Sequence, residues 1–199
     1  MTWQEFTALL ALATAMSFSP GPNTTLSTTL AANRGLRGAL HFVSAVPVGW
    51  GLLLLVCSAG LGALVLAIPA LHWAIQVAGT AYLLWLALKL SGSGQLGPTD
   101  AARLNVTFVQ GVALQFVNIK AWMLALTIVA GWIAGRDNTL ERVALVLPVM
   151  LVYAFASNLA YASAGALLRH WLAQGHRLLW FNRAMAAVLV LTAMWMAWR

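Results

Sequence analysis

Long uncharged stretches, separated by isolated basic residues and turn-forming clusters, dominate this chain. They run Phe6–Asn33, Gly38–Ile68, Ala70–Leu88, Leu104–Gly135, Val143–Leu168 and Ala184–Trp198, with Lys120 interrupting the fourth. Between them stand Asn33-Arg34-Gly35-Leu36-Arg37, the Pro69 turn, Ser91-Gly92-Ser93-Gly94, Gly135-Arg136-Asp137-Asn138 and the Arg169–Arg183 segment, whose glycines, prolines and charges are breaker signals. The runs are apolar throughout and lack the alternation of period two that a barrel strand needs, so helices are predicted. The expectation is an all-α polytopic membrane protein, with six transmembrane helices in a single transmembrane domain over 1–199.

Two runs are too long. About 20 helical residues cross roughly 30 Å of hydrocarbon, whereas at 1.5 Å per residue Phe6–Asn33 would extend about 42 Å and Leu104–Gly135 about 48 Å. Tilt absorbs part of such an excess, and a broken or re-entrant helix absorbs the rest. Each run holds a site for the break, Ser19-Pro20-Gly21-Pro22-Asn23 in the first and Asn118-Ile119-Lys120 in the fourth. Pro20 stands as far from Phe6 as Asn118 does from Leu104, and a phenylalanine, Phe18 or Phe116, precedes each by two positions. Helices one and four therefore read as interrupted counterparts in two three-helix halves, about 1–90 and 104–199. Three crossings per half make the halves inverted, an arrangement that in transporters places a binding site at the paired breaks.

Composition supports the membrane reading. Hydrophobic residues make up 62% and charged residues 8%, against about 45–50% and about 25% in soluble domains. The formal charge of +7 comes from scattered residues that form no patch, which argues against nucleic acid and for orientation in the bilayer. Loops one, three and five carry Arg34, Arg37, Lys89, Arg103, Arg169, Arg177 and Arg183, seven in all; loop four and the carboxyl end carry only Arg136, Arg142 and Arg199. The odd-numbered loops are thus expected in the cytoplasm. Trp3, Trp73, Trp132, Trp180 and Trp198 lie near run ends, where interfacial anchors belong. The opening Met1-Thr2-Trp3-Gln4-Glu5 lacks the basic segment of a signal peptide, so the first run is expected to stay in the protein. Cys57 is the sole cysteine, which excludes an internal disulfide and a CxxC pair.

The first break carries specific chemistry. Pro20 and Pro22 lack N–H groups, which should free the carbonyls of Met16 and Phe18 to meet a cation. Beyond them Asn23, Thr24 and Thr25 open a helical segment whose amino end suits a carboxylate. Together the two features would hold the ends of a zwitterion; the plainer alternative is a proline kink satisfied by neighbouring helices. Lys120 is the one ionisable Lys, Arg, Asp or Glu well inside a run. A charge at that depth costs about 2.5–3.5 kcal/mol or more, so it reads as a cavity residue, with a snorkelling lysine as the alternative. Asn118 reads as a site residue or as interhelical glue. His41 is a second candidate proton carrier, or an interfacial histidine. Ser157, Asn158 and Tyr161 line a path or hydrogen-bond across the bundle, and Gly131-xxx-Gly135 is a pattern of close packing.

Taken with Asn33-Arg34-Gly35-Leu36-Arg37-Gly38-Ala39, the Ser19-Pro20-Gly21-Pro22-Asn23 element strongly resembles the LysE/RhtB family of bacterial amino-acid exporters. Ala78-Gly79-Thr80-Ala81-Tyr82-Leu83-Leu84-Trp85-Leu86-Ala87-Leu88-Lys89 looks like that family's third helix, and Phe108-xx-Gly111 with Phe116-Val117-Asn118-Ile119-Lys120-Ala121 like its fourth-helix motif. Two departures stand out. Family members usually have Asn-Pro-Lys where this chain has Asn118-Ile119-Lys120, which leaves open a bend or a continuous helix. Ala186 and Ala193 replace glycines common in the last helix.

The resemblance implies a secondary-active exporter in the bacterial inner membrane, moving an amino acid or derivative out of the cytoplasm on the proton gradient. The site residues expected are Pro20, Gly21, Pro22, Asn23, Thr24, Asn118 and Lys120, with Lys120 and His41 as candidates for proton coupling. The spans contain no carboxylate to meet a cationic substrate, so a neutral amino acid is favoured. No cofactor, metal or nucleic-acid partner is expected, and the oligomeric state, monomer or homodimer, is open. A membrane-embedded enzyme is the second reading, although the runs offer no paired carboxylates or nucleophile with a base; a non-transporting membrane subunit is the third.

Overall fold

A computed structural model describes residues 1–93 and 106–198, and every described element is helical. Asp100, Arg103, the start of the fourth run at Leu104, and Arg199 lie outside the described residues. Helix α1 spans Trp3–Phe18, α2 Pro22–Ser58, α3 Leu61–Ala67 and α4 Pro69–Ser91. Beyond residue 106 come α5, Phe108–Val117, then α6, Ile119–Ile128, which runs into a π-helical turn at Val129–Ile133. Helices α7, Thr139–Leu172, and α8, Arg177–Trp198, complete the chain. Among the described residues four helices, α2, α4, α7 and α8, are long and apolar enough to cross a membrane, and the bent pair Phe108–Val117 and Ile119–Ile133 is a fifth candidate if it forms one span.

Local chemistry accounts for most boundaries. Thr2 and Glu5 form a capping box that starts α1: the Glu5 N–H donates to Thr2 Oγ1 at 3.1 Å and the Thr2 N–H to Glu5 Oε2 at 2.8 Å, which satisfies two otherwise orphaned donors. Thr107 and Gln110 do the same for α5. Ser19, preceding a proline, is extended at φ −74° and ψ 142°, as the proline ring requires. Pro22 then opens α2 from its first turn, where a missing N–H costs nothing.

Gly35, at φ 75° and ψ 167°, breaks the helical path inside α2. No other residue takes that φ cheaply, and the expected loop one is therefore a glycine kink between two helical arms, 22–34 and 36–58. Loop two differs from expectation in position. The helix ends at Ser58 and turns through Ala59 and Gly60, and Pro69 starts α4 instead of ending the run.

Two large cores fill the bundle, with a smaller cluster of Ala32, Leu172 and Leu178 beside them. One packs Leu30, Phe42, Leu83, Leu114 and Leu189; the other packs Leu9, Leu53, Trp122, Ile128 and Met150. A different polar clasp marks each end. Beside the first core, the Asn33 and Asn182 amides bond each other at 2.9 and 3.0 Å, and Asn182 Nδ2 also donates to Ser93 O at 2.8 Å. Beside the second, Glu5 pairs with Arg136 at 3.5 Å and Arg142 at 3.4 Å. Trp132 Nε1 donates to Glu5 O at 2.7 Å, so this tryptophan is a clasp member instead of a free anchor. Gly131 meets open space; close approaches are found instead at Gly79 and Gly165, where an added Cβ would run into the Val117 and Thr28 carbonyls.

Candidate functional site

Between the two large cores lies a cavity open on one side. Its walls come from α1 (Met16, Ser17), the first break and opening turn of α2 (Gly21 to Thr24), the second arm of α2 (Val46, Trp50), the start of α6 (Asn118, Lys120, Ala121, Leu124) and α7 (Met150, Ala154, Ser157, Asn158). Gly21, Pro22, Asn23, Thr24, Asn118 and Lys120, the residues expected from sequence, all line this one cavity. Pro20 is not in the wall and contributes through its carbonyl. His41 lies elsewhere, its Nε2 2.8 Å from Val106 O beside the first core.

The fourth run is broken without a proline. Its two segments meet at 67°, and the hinge is Asn118, extended at φ −91° and ψ 101°. The Asn118 side chain caps the new segment, accepting the Lys120 N–H at Oδ1 at 3.1 Å, while its carbonyl accepts from the Ala121 N–H at 2.9 Å. An asparagine N-cap supplies by hydrogen bonding what the proline would enforce by sterics.

The freed oxygens at the first break are different from those expected. Met16 O accepts the Ser19 hydroxyl at 2.9 Å, and Phe18 O accepts the Tyr161 hydroxyl at 2.8 Å; side chains thus consume both carbonyls. The oxygens that meet a cation are the next two along the chain. Lys120 Nζ donates to Ser19 O at 2.8 Å, Ser19 Oγ at 2.8 Å and Pro20 O at 3.2 Å. Three N–H donors thus find three neutral oxygens, and no carboxylate lines the cavity. Gly21 makes room for this reach: a Cβ there would stand 3.1 Å from Lys120 Cδ and 3.2 Å from Nζ. Its φ of 179° is one that any residue adopts, so the demand is for space.

A second link joins the breaks. Asn23 Nδ2 donates to Gln115 Oε1 at 2.9 Å and Gln115 Nε2 to Asn23 Oδ1 at 3.1 Å, with Gln115 fully buried. Sequence reading passed over Gln115, although an amide inside an apolar run is itself a signal. Thr24 holds the turn, its hydroxyl accepting from Gly21 N–H at 3.0 Å and donating to Gly21 O at 3.1 Å. On α7, Asn158 Oδ1 accepts from Ser27 Oγ at 2.8 Å, so Asn158 both lines the cavity and ties helices together.

The arrangement has a definite electrostatic sense. Two helix amino ends, at Pro22 and Ile119, and one ammonium converge on a space without acidic side chains, which favours a carboxylate. Trp50, buried and in the wall, offers an aromatic surface of the kind that attracts a cationic group. Among the described residues no group of His, Cys, Asp and Glu has the makings of a metal site.

The profile of the LysE type translocator family matches residues 14–198. The cysteine/O-acetylserine efflux proteins of Escherichia coli (strain K12), Shigella flexneri and Shigella sonnei (strain Ss046) are each 30% identical to this chain over 185 residues, which cover 92% of it and 91% of theirs. No solved structure matches it significantly.

Proposed function

The chain belongs to the LysE-type translocator family, and from that membership we propose that it exports a small neutral amino acid or amino-acid derivative across the bacterial inner membrane. One observation carries the reading: two interrupted helices meet at a cavity that holds a lysine and no carboxylate. A zwitterion finds there a cation for its carboxylate. A cationic amino acid, with an extra positive charge beside Lys120, is disfavoured. The relatives named for cysteine and O-acetylserine are consistent with this class, since both are small and carry no net side-chain charge. Membership of a translocator family sets the embedded-enzyme reading aside.

The architecture proposed is six crossings in two inverted halves, about 1–90 and 104–199. α1 and the 22–34 arm make one broken crossing, the 36–58 arm the second and α4 the third. The α5–α6 pair, α7 and α8 then repeat the order in the opposite sense. With both breaks at the level of the cavity, the site sits midway, as alternating access between inverted repeats requires. Proton coupling is assigned to Lys120, with His41 as the second candidate.

Reconstitution tests the reading. Proteoliposomes containing only this protein, preloaded with labelled O-acetylserine, cysteine or lysine, should release the first two faster than protein-free vesicles do and should retain lysine. Release of lysine alone would reverse the charge argument, and retention of all three would remove the export reading for this class.

A further inference from the structure

The lysine that reaches the first break presents a primary ammonium, the same group that an amino acid presents. We propose that Lys120 is a tethered occupant of the ammonium subsite, and that loading is an exchange: the substrate ammonium replaces Lys120 on Ser19 and Pro20 while the substrate carboxylate takes Lys120. The inference rests on the amino-acid reading above and adds to it a defined subsite and a resting state.

Ser19 O, Ser19 Oγ and Pro20 O stand 2.8, 2.8 and 3.2 Å from Nζ. Three acceptors around one nitrogen are what a primary ammonium needs, and the two shorter distances are those of charge-assisted bonds. Nothing in this set is particular to lysine, because only the ammonium is held. The stem lies along Gly21, where a side chain would crowd it, so the ammonium reaches the oxygens past bare backbone and leaves by swinging a flexible four-carbon chain. Ammonium and carboxylate are joined through a single carbon in an α-amino acid. A substrate seated on Ser19 and Pro20 therefore carries its carboxylate to within reach of the displaced Lys120. Two positive and one negative groups are present before and after, so the exchange moves no net charge into the cavity and leaves no break oxygen unpaired.

The arrangement also gives the empty carrier a lock. Lys120 belongs to the second broken helix and Ser19 to the first, so in the absence of substrate the ammonium pins the two breaks together. Substrate breaks that direct link and replaces it with itself.

The test removes the tether and returns the group. Lys120→Ala deletes Cγ, Cδ, Cε and Nζ, and n-propylammonium has those same heavy atoms. Thermal unfolding of the purified full chain in detergent is followed during titration with n-propylammonium chloride, with n-propanol and tetramethylammonium chloride as controls. The midpoint of Lys120→Ala should rise with the logarithm of propylammonium concentration, as for any ligand of the folded state. The parent, whose own ammonium fills the subsite, should not respond, nor should the variant respond to either control. An equal response of parent and variant, or no response of the variant, overturns the proposal. If Lys120→Ala does not fold, Lys120→Cys in a Cys57→Ala background offers the same space; a covalently attached 2-aminoethylthio group should raise its midpoint and an ethylthio group should not, and equal effects overturn the proposal. Because the readout is stability, failure of the parent to export amino acids would defeat the functional reading without touching this result.

Discussion

Lys120 bears three oxygen contacts and is the one Lys, Arg, Asp or Glu well inside an apolar run, so its substitutions separate charge from chemistry. Lys120→Met keeps the volume and removes the ammonium donors from the half-buried Ser19 oxygens and the exposed Pro20 oxygen; it should abolish export. Lys120→Arg stays charged at every working pH. If the lysine proton is what couples transport, the arginine variant binds substrate but its export no longer answers an imposed pH gradient, measured in proteoliposomes with and without one. Full gradient response in that variant places coupling elsewhere, with His41 next. Lys120 was legible in the sequence because a charge inside an apolar run is rare. What it bonds was not, because two of the three partners are backbone oxygens a hundred positions away, which carry no sequence signature, and the third is the hydroxyl of the same distant serine.

Glu5 yields a prediction with a sign. Its carboxyl is held below the usual carboxylate range, first by the Thr2 N–H and then by Arg142 and Arg136, against an opposing desolvation. A depressed folded pKa means that the stabilisation is complete above the unfolded pKa and is lost as pH falls through the folded one. Thermal midpoints of the parent and Glu5→Gln should therefore differ at neutral pH and converge in acid, below the ordinary carboxylate range. A gap that persists unchanged into acid would show that the charge is not what Glu5 contributes.

At the scale of elements, the two breaks reach the same result by different means. Prolines in Ser19-Pro20-Gly21-Pro22 announce the first, whereas the second shows in the sequence only through run length and its matched offset. Asn118 is already extended, as a residue before proline must be, and Ile119 is the first residue of its segment, where proline is tolerated. Ile119→Pro should hence preserve the fold and raise stability by about 0.4–1 kcal/mol through the unfolded chain. Asn118→Ala removes the cap and should cost about 1 kcal/mol. Urea or thermal unfolding of both variants checks the pair; a strongly destabilising Ile119→Pro would mean that the hinge depends on the isoleucine. The helix end at Ser58 was not legible, since Ala59 and Gly60 lie within an apolar run and Pro69 is the louder signal. Gly79 went unread as a packing residue for a related reason: its demand for space comes from Val117 O on another helix.

For the whole molecule, the proposed topology predicts that the odd-numbered loops meet at one end of the bundle and the amino terminus and loop four at the other. Asn33, Ser93 and Asn182, from loops one, three and five, meet at one end, while Glu5 at the amino terminus meets Arg136 and Arg142 of loop four at the other. The amides and carboxylate that clasp these residues were not legible in the sequence, because each partner lies in a different loop. The proposed orientation puts the odd-numbered loops, which hold seven of the eleven Lys and Arg residues, in the cytoplasm, on the rule that basic loops stay inside. Single cysteines in a Cys57→Ala background make this measurable, Cys57 itself being buried. Arg37→Cys and His176→Cys, both at exposed positions, should resist an impermeant maleimide added to intact cells and react once the cells are opened. Asp137→Cys, exposed at the opposite end, should react from outside. A reversed pattern would invert the orientation and with it the direction from which substrate enters; labelling of Arg37→Cys and Asp137→Cys from one side would break the end-to-end sorting, and the inverted halves would fall with it.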